Sequence, residues 1–377
     1  MDNFQIFVKP VGARCNLACG YCYYLEKQNL YPGKTTGRMS VELLEEYIIQ
    51  HINASEGPEI FFSWHGGEPT LAGLAYFNDV VRFQQKHLSR NCRAVNGIQT
   101  NGTLLTEEWC RFLKKENFIV GISLDGPEEY HSFHRYRKDG SSCFDEVIGG
   151  YRLLMKYNIP NEILCVVNSA NVRYPLEVYR FFKSLNVRFI TFIPLVEGHN
   201  RAGTLVSDRS VPAKAFGEFL IAIFDEWVAA DIGTIKIQIV EEALRIAFNL
   251  EHSLCIFKGT CGGVPVVESN GDFYSCDHYT DPEHLVGNIW NTPLKNLLDS
   301  HVQKMFGNFK NDSLPDFCRQ CNVLPMCNGA CPKDRFISTP DGEPGLNYLC
   351  EGYKLFFNHC QPFVEQVAEV WRNNNIG

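Results

Sequence analysis

The chain has 377 residues, 45% of them hydrophobic and 21% charged, and a formal net charge of -8. Those proportions describe an ordinary globular protein; the acidic balance and the lack of any basic run argue against a general nucleic-acid binder, and no apolar run approaches the roughly 18 residues that span a bilayer. The departure from the ordinary is 16 cysteines, and at this length one large domain followed by a smaller one is the expectation.

The first predicted element is a strand over residues 4–9, Phe4 to Lys9. Neither the basic nor the long apolar region of a signal peptide is present there, so a cytoplasmic protein is expected, in which cysteine clusters mean metal or redox chemistry rather than disulfides. Cys15-x3-Cys19-x2-Cys22 follows directly. A four-iron cluster takes one thiolate per iron, so three thiolates on one loop leave an iron open to a non-protein ligand. A zinc site is the rival reading, but it normally closes with a fourth ligand and favours C-x2-4-C pairs; three ordinary thiols are the plain one.

Beyond this loop, strand patterns over 59–64, 93–100, 119–124, 162–168 and 188–194 alternate with amphipathic helical stretches, the pattern of parallel βα units. The stretch from Val41 places Leu44, Tyr47, Ile48 and His51 at helical spacing with Ser40 as N-cap. Another opens on Thr106 with acids and closes on lysines, matching the helix dipole. In a parallel barrel the functional groups gather on the loops after the strands. His65-Gly66-Gly67-Glu68-Pro69 stands on one such loop, Gln99-Thr-Asn101-Gly102 and Ser123-Leu-Asp125-Gly126 on the next two. Each also reads as a simple strand-ending turn. Residues 197–212 are polar and predict a loop, and 213–230 a helix with Phe216, Leu220, Ile223, Phe224 and Trp227 on its core face.

Cys15-x3-Cys19-x2-Cys22 with Tyr21 before the third cysteine resembles the signature of the radical S-adenosylmethionine enzymes. That resemblance implies a partial (β/α)6 TIM-type barrel over 1–235, an α/β fold. It implies a cluster whose open iron binds S-adenosylmethionine, with Tyr21, Gly66, Gly67, Glu68, Ser123, Arg135 and Leu195 around that cofactor.

Eight cysteines occupy the C-terminal third: Cys255, Cys261, Cys276, Cys318, Cys321, Cys327, Cys331 and Cys350. Cys318-x2-Cys321-x5-Cys327-x3-Cys331 alone could pass for a zinc ribbon, which leaves Cys255, Cys261 and Cys276 without an account. Two β-type runs around Asn270-Gly271 predict a hairpin presenting Cys276 and Asp277. The arrangement resembles the SPASM domain, expected over 236–377 with a C-terminal helix. By that resemblance Cys255, Cys261, Cys276 and Cys331 hold one auxiliary four-iron cluster and Cys318, Cys321, Cys327 and Cys350 another, giving three [4Fe-4S] clusters in all. Cys92, Cys110, Cys143, Cys165 and Cys360 are expected as buried small hydrophobes in helices and strands.

With Gly66-Gly-Glu-Pro-Thr-Leu-Ala-Gly, Gln99-Thr-Asn-Gly-Thr-Leu-Leu and Gly345-Leu-Asn-Tyr-x-Cys350, the chain is similar to the anaerobic sulfatase-maturating enzymes. This implies oxidation of a Cys or Ser in a Cys/Ser-x-Pro-x-Arg segment of an unfolded sulfatase to Cα-formylglycine, with flavodoxin or ferredoxin as electron donor. Asp277, directly after Cys276, matches the family's catalytic base; a hairpin cap is its plainer reading. A SPASM maturase that crosslinks a ribosomal peptide would share every cluster ligand, and a zinc scaffold is the non-enzymatic rival.

Overall fold

The computed structural model describes residues 4–30, 37–198 and 206–375. The elements run β1 (Phe7–Val8), α1 (Val41–Ala54), β2 (Glu59–Trp64), α2 (Leu74–His87), β3 (Arg93–Thr100), α3 (Glu107–Lys115) and β4 (Ile119–Ser123). Then come α4 (Glu128–His134), α5 (Phe144–Lys156), β5 (Asn161–Val167), α6 (Pro175–Ser184), β6 (Phe189–Pro194) and α7 (Ala213–Ala230). Next are β7 (Lys236–Ile237), α8 (Gln238–Ala247), β8 (Val266–Val267), β9 (Asp272–Tyr274), β10 (Leu285–Asn288), α9 (Leu294–Leu298) and α10 (His301–Asp312). The chain closes with α11 (Asp316–Arg319), α12 (Leu324–Cys327), β11 (Ile337–Ser338), β12 (Pro344–Leu346) and α13 (Cys350–Asn375).

Two compact units alternate along the chain. The first takes described residues of 1–123, 134–161 and 262–307, the second those of 124–133, 162–261 and 308–377. In the first, the strand order is β10-β9-β8-β1-β2-β3-β4. Strands β8, β1, β2, β3 and β4 are parallel neighbours, and β9 and β10 continue the edge antiparallel. Helix α1 forms because Ser40 Oγ accepts from Leu43 N at 3.2 Å and an apolar stripe recurs at helical spacing. That stripe buries Leu44, Tyr47 and Ile48, and Tyr47 meets Phe62 and Trp64 of β2 edge-on. Thr106 caps α3 likewise, accepting from Trp109 N at 3.3 Å.

In the second unit β5, β6 and β7 are parallel, and α7 lies against α13. The predicted stripe on α7 is buried, with Phe216 against Tyr353 and Phe224 against Phe356 and Phe363. Gly217 and Gly352 let the two backbones touch: a Cβ on Gly352 would stand 2.1 Å from Ala213 O. Because α13 begins at Cys350, this contact also fixes where that cysteine sits.

The βα alternation through β6 follows the expected pattern. The first strand is shorter than expected, although Lys9 N still donates to Val267 O at 2.9 Å. The hairpin around Asn270-Gly271 exists, with Gly271 at φ 89, and β8 pairs with β1. Cys110, Cys143, Cys165 and Cys360 are buried as expected. Cys92, by contrast, is only half-buried and precedes β3 in a loop, and Cys143 is the N-cap of α5 rather than a residue within it. Of the loop expected over 197–212, residues 199–205 lie outside the described residues. Among described residues no helix is long and apolar enough to cross a membrane.

Candidate active site

The cysteine loop leaves β1 and is held from two sides. Ala18 N donates to Tyr136 O at 2.9 Å and Gly20 N to His134 O at 2.7 Å, while Gly67 N donates to Gly12 O and Glu68 N to Arg14 O, both at 2.8 Å. This last approach needs glycine: a Cβ on Gly67 would stand 2.1 Å from Arg14 O. Cys15, Cys19 and Cys22 are half-buried. Burial pushes the Cys15 thiol up to about 11 and raises Cys22, yet Cys15 Sγ already accepts from Leu17 N at 3.4 Å and Asn101 Nδ2 at 3.7 Å. Donors aimed at sulfur suit a thiolate, so a bound cluster would find its ligands poised and would displace their protons.

Glu68 is fully buried. Its Oε1 accepts from Thr70 N at 3.0 Å, Thr70 Oγ1 at 2.6 Å and Thr100 Oγ1 at 2.7 Å, and its Oε2 from Asn101 N at 2.8 Å. Burial raises its pKa while these donors oppose the rise. The carboxylate thus ties the ends of β2 and β3 together, and what the Gly66-Gly67 turn offers a ligand is its backbone. Ser123 ends β4 with its Oγ accepting from Gln99 Nε2 at 3.2 Å. Arg135 is buried, its guanidinium 5.3 Å from the centre of the Tyr21 ring, and it lowers the Cys22 thiol against burial. Leu195 follows β6 in the second unit, buried.

A second set of side chains gathers at the β8–β9 hairpin. Lys9 Nζ lies 2.5 Å from Asp277 Oδ1, Tyr23 OH donates to Asp277 Oδ2, and Tyr24 OH donates to Glu268 Oε1. Lys9 Nζ also sits 4.2 Å from the centre of the Tyr24 ring, and His65 stacks on Phe7 at 3.8 Å. Burial would raise Asp277, but Lys9 foremost overrides it and holds the carboxyl at about 2; burial lifts Glu268 to about 7. Sequence reasoning found Asp277 and missed Lys9, Tyr23, Tyr24 and Glu268. The signal available was an isolated lysine closing an apolar run and a tyrosine pair directly after Cys22.

In the second unit Cys318, Cys321, Cys327 and Cys350 line one cavity together with Phe317, Val323, Leu324, Gly329 and Lys354. Four thiols around a cavity fit a closed four-iron cluster. Burial pushes Cys327 to about 11 and Cys350 to about 12, so loading a metal there releases protons. Cys255, Cys261 and Cys331 share the unit: Cys331 acts electrostatically on Cys261, and Cys255 on Cys331. Cys276 is in the first unit, just past β9 and next to Asp277.

Comparison with known proteins adds five findings. Residues 10–182 match the radical SAM superfamily and residues 261–322 an iron-sulfur cluster-binding domain, SPASM. A serine-type anaerobic sulfatase-maturating enzyme of Bacteroides thetaiotaomicron is 44% identical, covering 98% of this chain and 92% of that one. A cysteine-type enzyme of Clostridium perfringens is 34% identical over 100% of both chains. The structure of anSMEcpe with bound AdoMet and Kp18Cys peptide superposes with a TM-score of 0.87 at 32% identity, covering 97% of this chain and 99% of that one.

Proposed function

Since this chain belongs to the anaerobic sulfatase-maturating enzymes of the radical SAM superfamily, we propose that it converts a Cys or Ser side chain of an unfolded sulfatase to Cα-formylglycine without oxygen. It is a radical SAM enzyme with a partial barrel and a SPASM domain, and its cofactors are S-adenosylmethionine and iron-sulfur clusters, three by the cysteine sets. We place the division between the two domains between residues 235 and 236.

Cys15, Cys19 and Cys22 would hold the cluster with the open iron. Gly66 and Gly67, through their backbone, with Tyr21, Ser123, Arg135 and Leu195, would hold S-adenosylmethionine, and Glu68 would brace that backbone. Cys255, Cys261, Cys276 and Cys331, and Cys318, Cys321, Cys327 and Cys350, would hold the auxiliary clusters. When bound, these groups supply a 5′-deoxyadenosyl radical able to take a hydrogen atom from Cβ, and a sink for the electron that must follow.

The protein's own share is proton handling, and the observation that carries this reading is Asp277 beside Lys9. Removing a Cβ hydrogen makes the attached thiol or hydroxyl far more acidic, so a carboxylate held ionised suffices as base. Lys9 keeps Asp277 charged while buried, and Tyr23 orients the oxygen on the other side. A flavodoxin or ferredoxin would supply electrons from outside.

The test is anaerobic incubation with Cys-x-Pro-x-Arg and Ser-x-Pro-x-Arg peptides, read by mass spectrometry. From the Cys peptide, loss of two hydrogens followed by hydrolysis of the thioaldehyde with release of H₂S, or from the Ser peptide loss of two hydrogens alone, gives the aldehyde and supports the reading; an internal crosslink with no aldehyde would move the chain to the crosslinking maturases.

A further inference from the structure

Between Cys327 and Cys331, which the reading above assigns to different auxiliary clusters, three consecutive residues are left-handed: Asn328 at φ 46, Gly329 at φ 67 and Ala330 at φ 50. Successive left-handed residues are unusual, and for a side chain such as alanine the conformation is unfavourable. Ala330 is also buried. Something must hold the turn, and one side chain reaches all of it. Arg335 donates from Nε to Gly329 O at 2.9 Å, and from Nη2 to Asn328 O at 3.0 Å and Ala330 O at 3.3 Å. Its Nη1 donates to Lys310 O at 2.5 Å and to Ser313 Oγ at 3.3 Å.

The chain of contacts continues. Lys310 is fully buried, and its Nζ donates to Cys255 O at 3.0 Å and Ile256 O at 2.8 Å. Asn328 Nδ2 donates to Phe257 O at 2.7 Å, so the turn is also tied to the loop of Cys255. Every residue in this network lies in the second unit. The five Arg335 bonds use all five N–H donors of the guanidinium fork, four of them on carbonyls; a lysine ammonium keeps the charge but has only three donors and not this geometry.

We infer that Arg335 is a positioning residue that clamps the left-handed turn Asn328–Ala330 and thereby sets where Cys327 and Cys331 present their sulfurs, one to each auxiliary cluster. The guanidinium also interacts electrostatically with Cys318 and Cys261, thiols of both sets. A single cation so placed would bias both clusters, when bound, toward the extra negative charge of their reduced forms. The inference rests on the ligand assignment under the proposed function, so the two are tested separately.

The full chain carrying Cys15→Ala, Cys19→Ala and Cys22→Ala is loaded anaerobically with iron and sulfide. About eight irons should remain by the one-thiolate-per-iron rule; another count overturns the ligand assignment, not the clamp. In that background Arg335→Lys should lose about four irons or more. Whatever cluster remains should show an altered EPR line shape, and Arg335→Gln, which removes the charge as well, should make its reduction potential more negative. Adding Ala330→Gly, which removes most of the left-handed cost, should restore iron content in part, while Arg82→Lys, exposed and distant in sequence, should change nothing. Circular dichroism of each variant separates unfolding from cluster loss. The clamp is overturned by Arg335→Lys protein with unchanged iron and line shape, or by a folded variant whose iron loss Ala330→Gly does not recover.

Discussion

Lys9 Nζ lies 2.5 Å from Asp277 Oδ1, joining the end of the first strand to the residues just after the β8–β9 hairpin, within the last third of the chain. The pair makes Asp277 a permanently charged group at neutral pH, suited to accept a proton only when the donor has become acidic. Asp277→Asn keeps the shape and removes the charge. Formylglycine should fall about 10²- to 10⁴-fold, the usual general-base contribution, while 5′-deoxyadenosine is still made. With substrate deuterated at Cβ, that deuterium should appear in the 5′-deoxyadenosine. Near-normal product from this variant would reduce Asp277 to a hairpin cap.

Replacing Lys9 by Met leaves Asp277 buried without its cation, so burial takes over and its pKa rises from about 2. The acid limb of the pH–rate profile should therefore move to higher pH, with product formation at pH 6 hurt more than at pH 8. Stability changes in the same sense. In the parent, a carboxyl depressed below its unfolded value of about 3.9 stabilises the fold above that value and loses this effect as pH falls through about 2. In Lys9→Met that contribution is gone, and breaking the buried pair should cost about 3–5 kcal/mol in urea denaturation. An unmoved profile would show that Lys9 does not govern Asp277.

His51 offers an independent pH test away from the site. Burial holds its ring neutral, down to about 3, with Nδ1 taking part in a 2.7 Å hydrogen bond to Tyr47 OH and the ring stacked on Phe62 at 4.5 Å. In the unfolded chain a histidine titrates near 6.5, so the unfolded state binds the extra proton first. Stability should be flat in this term above about 6.5 and fall by up to ~1.4 kcal/mol per pH unit as pH drops toward about 3. His51→Phe should flatten that slope relative to the parent when the two are compared by denaturation at pH 7, 6 and 5.

Much of this was legible because the informative features are local. The cysteine spacings, the glycine pair before Glu68 and the Asn270-Gly271 turn each fit within a few residues, where spacing alone speaks. Pairing of β8 with β1 was not, since strands of two residues carry no periodicity. Tyr23 and Asp277 are separated by 254 positions, and no local pattern couples them. Arg335 escaped notice for a different reason: left-handed backbone at Ala330 has no residue signature, and only the observed turn shows what a guanidinium would do there.

Gly67 should tolerate no side chain. A Cβ there would meet Arg14 O at 2.1 Å and Ala13 C at 2.7 Å, backbone atoms that can move only by moving the cysteine loop. Gly67→Ala should therefore lose the iron bound by that loop, together with S-adenosylmethionine cleavage, while the auxiliary iron stays. Gly149→Ala, where a Cβ meets nothing within 4 Å, should match the parent in both assays.

The cavity lined by Cys318, Cys321, Cys327 and Cys350 gives the last prediction. These four thiols are in one unit and surround one space, so removing two of them should empty that site without disturbing the loop after β1. Cys318→Ala with Cys350→Ala should lower anaerobic iron from about twelve to about eight per chain, counting one thiolate per iron with one iron left open. Reductive cleavage of S-adenosylmethionine needs only the first cluster, so it should persist. On the proposed function formylglycine should still fall, because the electron left on substrate would lose one of two acceptors. Iron that stayed at the parent level would mean the four cysteines hold no cluster. Full formylglycine yield with the iron lost would assign that electron to the set of Cys255, Cys261, Cys276 and Cys331 alone.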